Sequence, residues 1–492
     1  MNQDFVMKLI RYPPIGKLAL KVMKNNALKP FLISSKVVAE KQEKILQKKF
    51  RILEQKEVGR KLGVKAGGKL ESLPITDYKF YEPFFNNPSS NALMYPLNEY
   101  ERTRTSGTSG KVKWFLIPRS YIYKSIIETA IQVQLFSTHD GEKIRLDYGD
   151  TIYINTAPRP FLGGVMVSVA SGKNEKPPLF NVVPNFNISF EDKVKYFTNN
   201  CDQIDVAVTQ ASILVSQIMP AAKKPVKLKG LFCPDTAIAE AYFNEIQKFT
   251  GVTPRTAYGS TETLHCSIPS VQHPLGFFLD WRRGFFEFKA LKHDQEEKEI
   301  VGIDQVKVGE VYRVIFTNLE ADLTRYDTSN SFKCIATGDD SLGVDYPVFK
   351  FHSRLDKTIS LHNFTRINEN ELTTALKESK IQCVEFVAKS EITEGLEYLT
   401  LNLETTGNQN KEDISKAIHN SLYQMDEAYK DLVDFYNYSP IKVILLPEGT
   451  FGKYLTLKAA TVSKVGRIEM PDEEINKLIQ IAKSKDKTWQ ST

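Results

Sequence analysis

Cysteine is scarce and scattered: Cys201, Cys233, Cys266, Cys334 and Cys383 are the whole supply, and no two form a Cys-x-x-Cys pair. An odd, dispersed set argues against a disulfide framework and against a zinc site, and points to buried thiols in a reducing, cytoplasmic compartment. Long apolar runs are missing too. No stretch reaches the ~18 uninterrupted apolar residues of a membrane span. The segment Met1–Lys29 carries Ile10, Leu18, Leu20, Val22 and Met23 among basic residues, broken by Pro13-Pro14. It lacks the continuous apolar region of a signal peptide. It reads as a basic amphipathic arm, expected to pack on its own domain, with a membrane surface as the alternative. No basic run is interleaved with aromatics either. The net charge of +6 therefore reads as a lysine-rich surface that draws in anionic substrates, not as a nucleic-acid footprint.

What is present begins with Thr105-Ser106-Gly107-Thr108-Ser109-Gly110-Lys111-Val112-Lys113. Glycine lets backbone approach an anion closely, hydroxyls and free N–H groups donate to phosphate oxygens, and lysine supplies countercharge. The run is not a Walker A loop, whose first glycine stands four residues from its Gly-Lys pair. Alone, such a run is more often a flexible solvent loop. Trp114-Phe115-Leu116-Ile117 follows at once as a strand that would anchor it.

A second motif, Ala257-Tyr258-Gly259-Ser260-Thr261-Glu262, follows an amphipathic helix over Thr236–Thr250 and a short strand over Val252–Thr256. Its aromatic ring offers a flat face to a base, and its carboxylate can hold Mg²⁺ against phosphate. Singly, Tyr258 is an ordinary strand tyrosine and Glu262 a solvated loop acid. Two such motifs in this order favour a nucleotide site.

Together the motifs resemble the adenylate-forming superfamily of acyl-CoA synthetases and luciferases, nearest its phenylacetate-CoA ligase and auxin-responsive acyl-acid amido synthetase branches. Further segments carry the likeness. Leu73-Pro74-Ile75-Thr76-Asp77-Tyr78 precedes the phosphate loop, and Leu228-Lys229-Gly230-Leu231-Phe232 leads to the second motif. Tyr312-Arg313-Val314-Ile315-Phe316-Thr317-Asn318 is followed by Leu323-Thr324-Arg325-Tyr326. Val348-Phe349-Lys350-Phe351, Ser353-Arg354-Leu355-Asp356 and Gly449-Thr450-Phe451 look most like the amido synthetases.

The resemblance implies an ATP-dependent ligase. A small carboxylic acid is activated as an acyl-adenylate with loss of pyrophosphate, and the acyl group then passes to an amine such as an amino acid or to coenzyme A. It assigns Thr105, Ser106, Gly107, Thr108, Ser109, Gly110 and Lys111 to the phosphates, Lys113 to transition-state charge, and Glu262 to Mg²⁺. Tyr258, Gly259, Ser260 and Thr261 face the adenosine; Arg325 and Arg354 contact phosphate or ribose, with structural ion pairing the alternative for both and strongest for Arg325. Phe161, Gly163 and Gly164 line the acyl pocket, unless they form a turn that packing alone requires. Two positions depart from the relatives. Asn330 stands where they carry a ribose-binding aspartate, and it offers one acceptor oxygen and a donor in place of a carboxylate. Asp339 is no displaced substitute, since its spacing puts it in a surface turn. The C-terminal lysine is Lys453, with a solvent lysine in a hairpin as the alternative; in another alignment the comparable position falls near Glu469, of reversed charge. These departures keep open a catalytically degenerate, nucleotide-binding scaffold. The acyl substrate, the acceptor and the oligomeric state are not written in the motifs.

Alternating helical and strand patterns favour layered α/β architecture with largely parallel strands. Helices are expected at 35–62, 120–137 and 211–219, and a strand at 150–156. Strands dominate 276–351, a β-rich subdomain closing a large domain over residues 1–354. Residues 355–492 form a small α+β domain, with strands near 358–367, 384–388, 398–404 and 441–446 and helices at 369–379, 411–424 and 472–485. In relatives such a domain rotates over the site, and Asp356-Lys357 sits where their hinge lies.

Overall fold

The computed structural model describes residues 9–33, 35–105, 113–171, 179–185, 188–222, 224–234, 236–292, 295–355, 358–407, 409–457 and 465–485. Two compact units are formed, the larger from 1–105 with 114–355 and the smaller from 106–113 with 356–492. The expected hinge, Asp356-Lys357, lies outside the described residues.

The larger unit is layered α/β. A five-stranded parallel sheet has the order Asn181–Val183, Thr151–Ile154, Val206–Val208, Gly230–Phe232, Pro254–Arg255. Helices occupy the crossovers: Leu162–Ser171, Phe190–Asn200, a continuous helical stretch over 211–222, and the pair Thr236–Ala241 and Phe243–Thr250. Ile152, Tyr153, Val206, Ala207 and Leu231 are all buried, as strands covered on both faces must be. A seven-stranded antiparallel sheet follows, ordered Ser267–Pro269, Phe277–Leu279, Val348–Arg354, Tyr326–Ala336, Val311–Asn318, Gly284–Lys292, Gln295–Val301. Its inner face is aromatic: Phe288 stacks on Phe349 at 5.2 Å, and Phe277, Phe286, Tyr312, Phe316 and Phe332 complete one cluster. Phe232, Ala257 and Tyr258 belong to the same cluster, so the parallel sheet's last strands and the antiparallel sheet share a core.

The N-terminal arm packs on this unit. Helix Pro13–Asn26 opens on two prolines, tolerated where the first N–H groups have no intrahelical partner. Gly16 lies so close to Tyr148 that a Cβ would come within 2.1 Å of its ring. Leu20, Ala27 and Phe31 join a cluster with Leu146, Phe278 and Tyr346. The helix expected over 35–62 is two, Ser35–Leu53 and Glu57–Leu62. The chain reverses so tightly between them that a Cβ on Gly59 would overlap the carbonyl of Leu53.

The smaller unit holds a three-stranded sheet, Cys383–Thr393 antiparallel to Leu396–Thr405, which is parallel to Ile441–Leu446, and a separate hairpin, Thr358–Leu361 with Thr365–Asn368. Helix Glu369–Glu378 starts in a capping box between Asn368 and Glu371, and Asn410 caps Lys411–Met425, each side chain taking an otherwise unpaired N–H. Helix Asp472–Lys485 follows the expected bounds. Two helices are additional, Glu427–Tyr436 and Thr450–Leu457. The second starts where Glu404, from a strand, accepts from the N–H groups of Gly449 and Phe451 at 2.6 and 2.9 Å. That cap is non-local, and the glycines of the segment hide the helix.

Candidate active site

The segments 155–161 and 257–262 leave the carboxyl ends of parallel strands, on the side of such sheets where ligands bind, whereas Thr105 and Lys113 lie between Tyr100–Arg104 and Trp114–Pro118, a separate antiparallel pair. After Pro254–Arg255 the chain forms a small hairpin, Gly259–Ser260 with Leu264–His265, and Glu262 sits in its turn. A Cβ on Gly259 would stand 2.8 Å from the Leu264 carbonyl. Leu264 itself is buried with φ at 56°, a left-handed conformation that costs a branched side chain on the order of 1 kcal/mol and collects at functional loops.

Tyr258 is packed into the wall of this site. Its ring stacks with Phe277 at 6.2 Å and meets Phe332 edge-on at 4.6 Å. Its hydroxyl accepts a 2.6 Å hydrogen bond from Nδ2 of Asn330, 72 residues on. Asn330 is 2% exposed, and its Oδ1 has no partner among the described residues. An unpaired buried acceptor costs about 1–3 kcal/mol, so this oxygen is held ready for a donor.

Glu262 is half-buried, and its carboxylate makes no hydrogen bond or ion pair among the described residues. Its backbone carbonyl accepts from Nδ2 of Asn318 at 3.3 Å. The carbonyls of Asn318 and Leu323 in turn accept from Nζ of Lys49, each at 2.7 Å. Lys49 is 1% exposed. Burial pushes its ammonium down to about 7 and, by the same cause, raises the carboxyl of neighbouring Asp322. Sequence reading assigned neither Asn318 nor Lys49 to the site. The signals are there: Lys49 interrupts the apolar stripe Leu46, Phe50, Leu53, and Asn318 ends an otherwise apolar strand.

The expected ligand contact of Arg325 is corrected. Its guanidinium forms a buried pair with Glu287 at 2.8 Å and donates to the carbonyls of Glu71 and Leu73. Four of the five donors of a guanidinium are thus engaged inward, which is the structural alternative. Its backbone, at φ 45°, is stitched to Leu73–Tyr78: the Thr76 N–H donates to the Arg325 carbonyl and the Asp327 N–H to that of Thr76, both at 2.8 Å. Tyr78 exchanges two hydrogen bonds with the backbone of Trp114, fixing the strand that follows the phosphate loop.

Of that loop, Ser106, Gly107, Thr108, Ser109, Gly110, Lys111 and Val112 lie outside the described residues. Its borders are described. Thr105 is buried, its hydroxyl unpaired among the described residues, and Lys113 is half-buried before Trp114. The neighbouring Arg104 N–H and Thr103 hydroxyl donate to the Pro160 carbonyl, and the Arg104 guanidinium lies 4.6 Å from the Phe161 ring. The phosphate-loop border and the segment proposed to line the acyl pocket are therefore adjacent. Gly163 and Gly164 sit where a Cβ would strike Thr156 at 1.8 Å and the Arg159 N–H at 2.4 Å, so packing alone explains both glycines. Arg354 pairs through its backbone with Asn330.

Two further expectations change. Asp339 is fully buried, not in a surface turn. It accepts from the Ser270 and Ser341 hydroxyls and from the N–H groups of Val271 and Gln272, which hold its carboxyl below the usual range despite burial. Lys453 lies in the first turn of helix Thr450–Leu457, not in a hairpin, and donates to Ser484 at 3.0 Å. Glu469 accepts from the Ser390 N–H at 3.1 Å, an edge contact within the smaller unit.

Residues 277–354, most of the antiparallel sheet, match the family model of the GH3 family central domain. The whole chain is similar in fold to AtGH3.15 acyl acid amido synthetase in complex with 2,4-DB, with 15% identity, coverage of 92% of this chain and 95% of that one, and a TM-score of 0.51. It is also similar to 2-hydroxyisobutyryl-CoA ligase in complex with 2-HIB-AMP and CoA in the thioesterification state, with 13% identity, 93% and 94% coverage, and a TM-score of 0.62. The chain shares the fold of these two ligases. Within that fold Asn330 bonds to Tyr258 and Asn318 to the Glu262 backbone, and Arg325 serves as a buried brace paired with Glu287.

Proposed function

We propose that the protein is an ATP-dependent ligase that activates a carboxylic acid as an acyl-adenylate and passes the acyl group to an amine or to coenzyme A. The observation that carries this reading is the hydrogen bond from Asn330 to Tyr258, four residues before Glu262, whose carboxylate is unpaired among the described residues. It joins the two positions that resemblance assigns to adenosine and leaves one buried acceptor, Asn330 Oδ1, for a ribose hydroxyl. The similar structures were solved with an acid ligand or with an acyl-AMP and CoA, the two stages such a reaction requires.

In the first half-reaction a substrate carboxylate oxygen bonds to the α-phosphorus of ATP, and the bond to the bridging oxygen breaks as pyrophosphate leaves. In the second, the amine nitrogen or thiol sulfur bonds to the acyl carbon and AMP departs. The Thr105–Lys113 loop binds the phosphates, and Lys113 offsets charge that grows on them in the transition state. A single carboxylate such as Glu262 suits Mg²⁺, which is usually held by one or two carboxylates together with substrate phosphates; bound there, the ion neutralises triphosphate charge. Phe161 borders the acyl pocket, with Gly163 and Gly164 keeping its loop tight, and Arg354 reaches phosphate or ribose. The smaller unit supplies Lys453 and turns between the half-reactions.

Acid-dependent pyrophosphate release, measured with ATP, Mg²⁺ and a panel of carboxylic acids, tests the first step; adding amino acids or coenzyme A identifies the acceptor. Nucleotide binding with no acid-dependent release across the panel would replace this reading with the scaffold alternative.

A further inference from the structure

Helix Pro13–Asn26 has two apolar sides, and only one is used by the fold. Gly16 and Leu20, with Ala27 beyond them, point into the larger unit. Ile15, Leu18 and Val22 recur at spacings of three and four, the repeat of one helix face, and fall on the other side. They are 37%, 62% and 50% exposed, and Tyr12, which caps the helix start, is 62% exposed. Six of the thirteen large apolar side chains left exposed among the described residues lie between Leu9 and Leu32. So much exposed apolar surface in one short segment marks an interaction site.

The charge around it is of one sign. Residues 5–39 contain seven lysines and arginines and no acidic residue. Lys17, Lys21 and Lys29 are exposed, whereas Lys24 is turned toward the fold, donating to Asp147 at 3.0 Å. We infer that this helix face docks the protein on an anionic lipid bilayer. Leu18 and Val22 enter the boundary between headgroups and acyl chains, Tyr12 sits at headgroup level, and the lysine ammoniums stay among the lipid phosphates. A second copy of the chain is a poorer occupant, because a two-fold contact sets the same patch, and so its lysines, against itself. The attachment is peripheral: among the described residues no helix is long and apolar enough to cross a membrane.

Co-sedimentation of the purified full chain with vesicles tests the inference, using phosphatidylcholine alone and phosphatidylcholine mixed equally with phosphatidylglycerol. Binding is expected to the mixed vesicles, little to the neutral ones, and less as salt rises. The double variant Lys17→Glu/Lys21→Glu should lower partitioning at least about tenfold, and Leu18→Ser/Val22→Ser by about tenfold. All four side chains are exposed, so thermal unfolding should match the parent and a folding defect cannot mimic the result. No binding to the mixed vesicles, equal binding to neutral ones, or variants that bind like the parent would each overturn the inference. A dimer in sedimentation velocity that Leu18→Ser/Val22→Ser dissolves would give the face to a second copy instead.

Discussion

The two sheets of the larger unit contribute to the candidate site in opposite ways. Parallel strands such as Gly230–Phe232 and Pro254–Arg255 are only three and two residues long. Their side chains are consumed by the core, and what they deliver is the segments beyond their ends, Asn155–Phe161 and Ala257–Glu262. Antiparallel strands run longer, to eleven residues in Tyr326–Ala336. They deliver residues from within or at the end of a strand, Asn330 and Asn318, held by neighbours on the sheet. Chemistry on the loop side should therefore be separable from stability, whereas on the strand side the two are entangled.

The largest test of that contrast is Arg325→Ala. Removing one partner of a buried ion pair typically costs about 3–5 kcal/mol because the other charge is left stranded, here Glu287 at 4% exposure. Denaturant unfolding should show that loss, and Arg325→Met/Glu287→Leu should recover most of it. An unchanged midpoint for Arg325→Ala would remove the brace from the strand side.

On the loop side Glu262→Ala, and likewise Lys113→Ala in the connection between Tyr100–Arg104 and Trp114–Pro118, should each slow acid-dependent pyrophosphate release about a hundredfold, or ~3 kcal/mol, while unfolding stays within about 0.5 kcal/mol of the parent. Normal release from both variants would show that these loops do not carry the nucleotide.

Asn330→Asp probes the overlap. The free protein should lose stability, because a carboxylate replaces an amide at a buried position, while MgATP should bind tighter by about 1 kcal/mol as the ribose gains a charged acceptor. Calorimetry showing equal or weaker ATP affinity would move the ribose away from this strand.

The smallest effect lies outside both sheets, at Glu371. Burial raises its carboxyl from 4.5 to about 7. Between those values the unfolded chain has released the proton and the folded chain still holds it, so this group's contribution to stability falls as pH rises from 4.5 to 7. Glu371→Gln should therefore match the parent near pH 4 and exceed it above pH 7, on the order of 1 kcal/mol after solvent screening. An equal gain at both pH values would exclude ionisation as the cause.

Much of the architecture was legible. The α/β alternation in the larger unit follows from local apolar patterning, and Asp472–Lys485 and Ile441–Leu446 were legible to the residue. What escaped was set by distant partners. Helix Thr450–Leu457 depends on Glu404, Asp339 is drawn inward by donors around Ser270, and Arg325 is satisfied by Glu287 and Leu73. Each residue type alone suggests exposure or ligand contact, and only the fold supplies the neighbour that reverses the reading. Lys49 is the sharpest case, because a lysine in an apolar stripe is usually a snorkelling side chain, and here two carbonyls bury it.

The stitch between Thr76 and Arg325 also has a consequence for assembly. The Thr76 hydroxyl waits for a carbonyl 249 residues later in the chain, so this edge of the site cannot close during synthesis until residues near 327 have left the ribosome. Until then Tyr81 of helix Tyr78–Asn86 lacks both its hydrogen-bond partner Thr324 and its ring neighbour Tyr326. Contacts of such sequence separation close slowly and leave apolar surface open meanwhile. The nascent chain therefore holds this helix incompletely covered before this edge of the candidate site exists, and a chaperone that shields it would act on the making of the site, not on its chemistry.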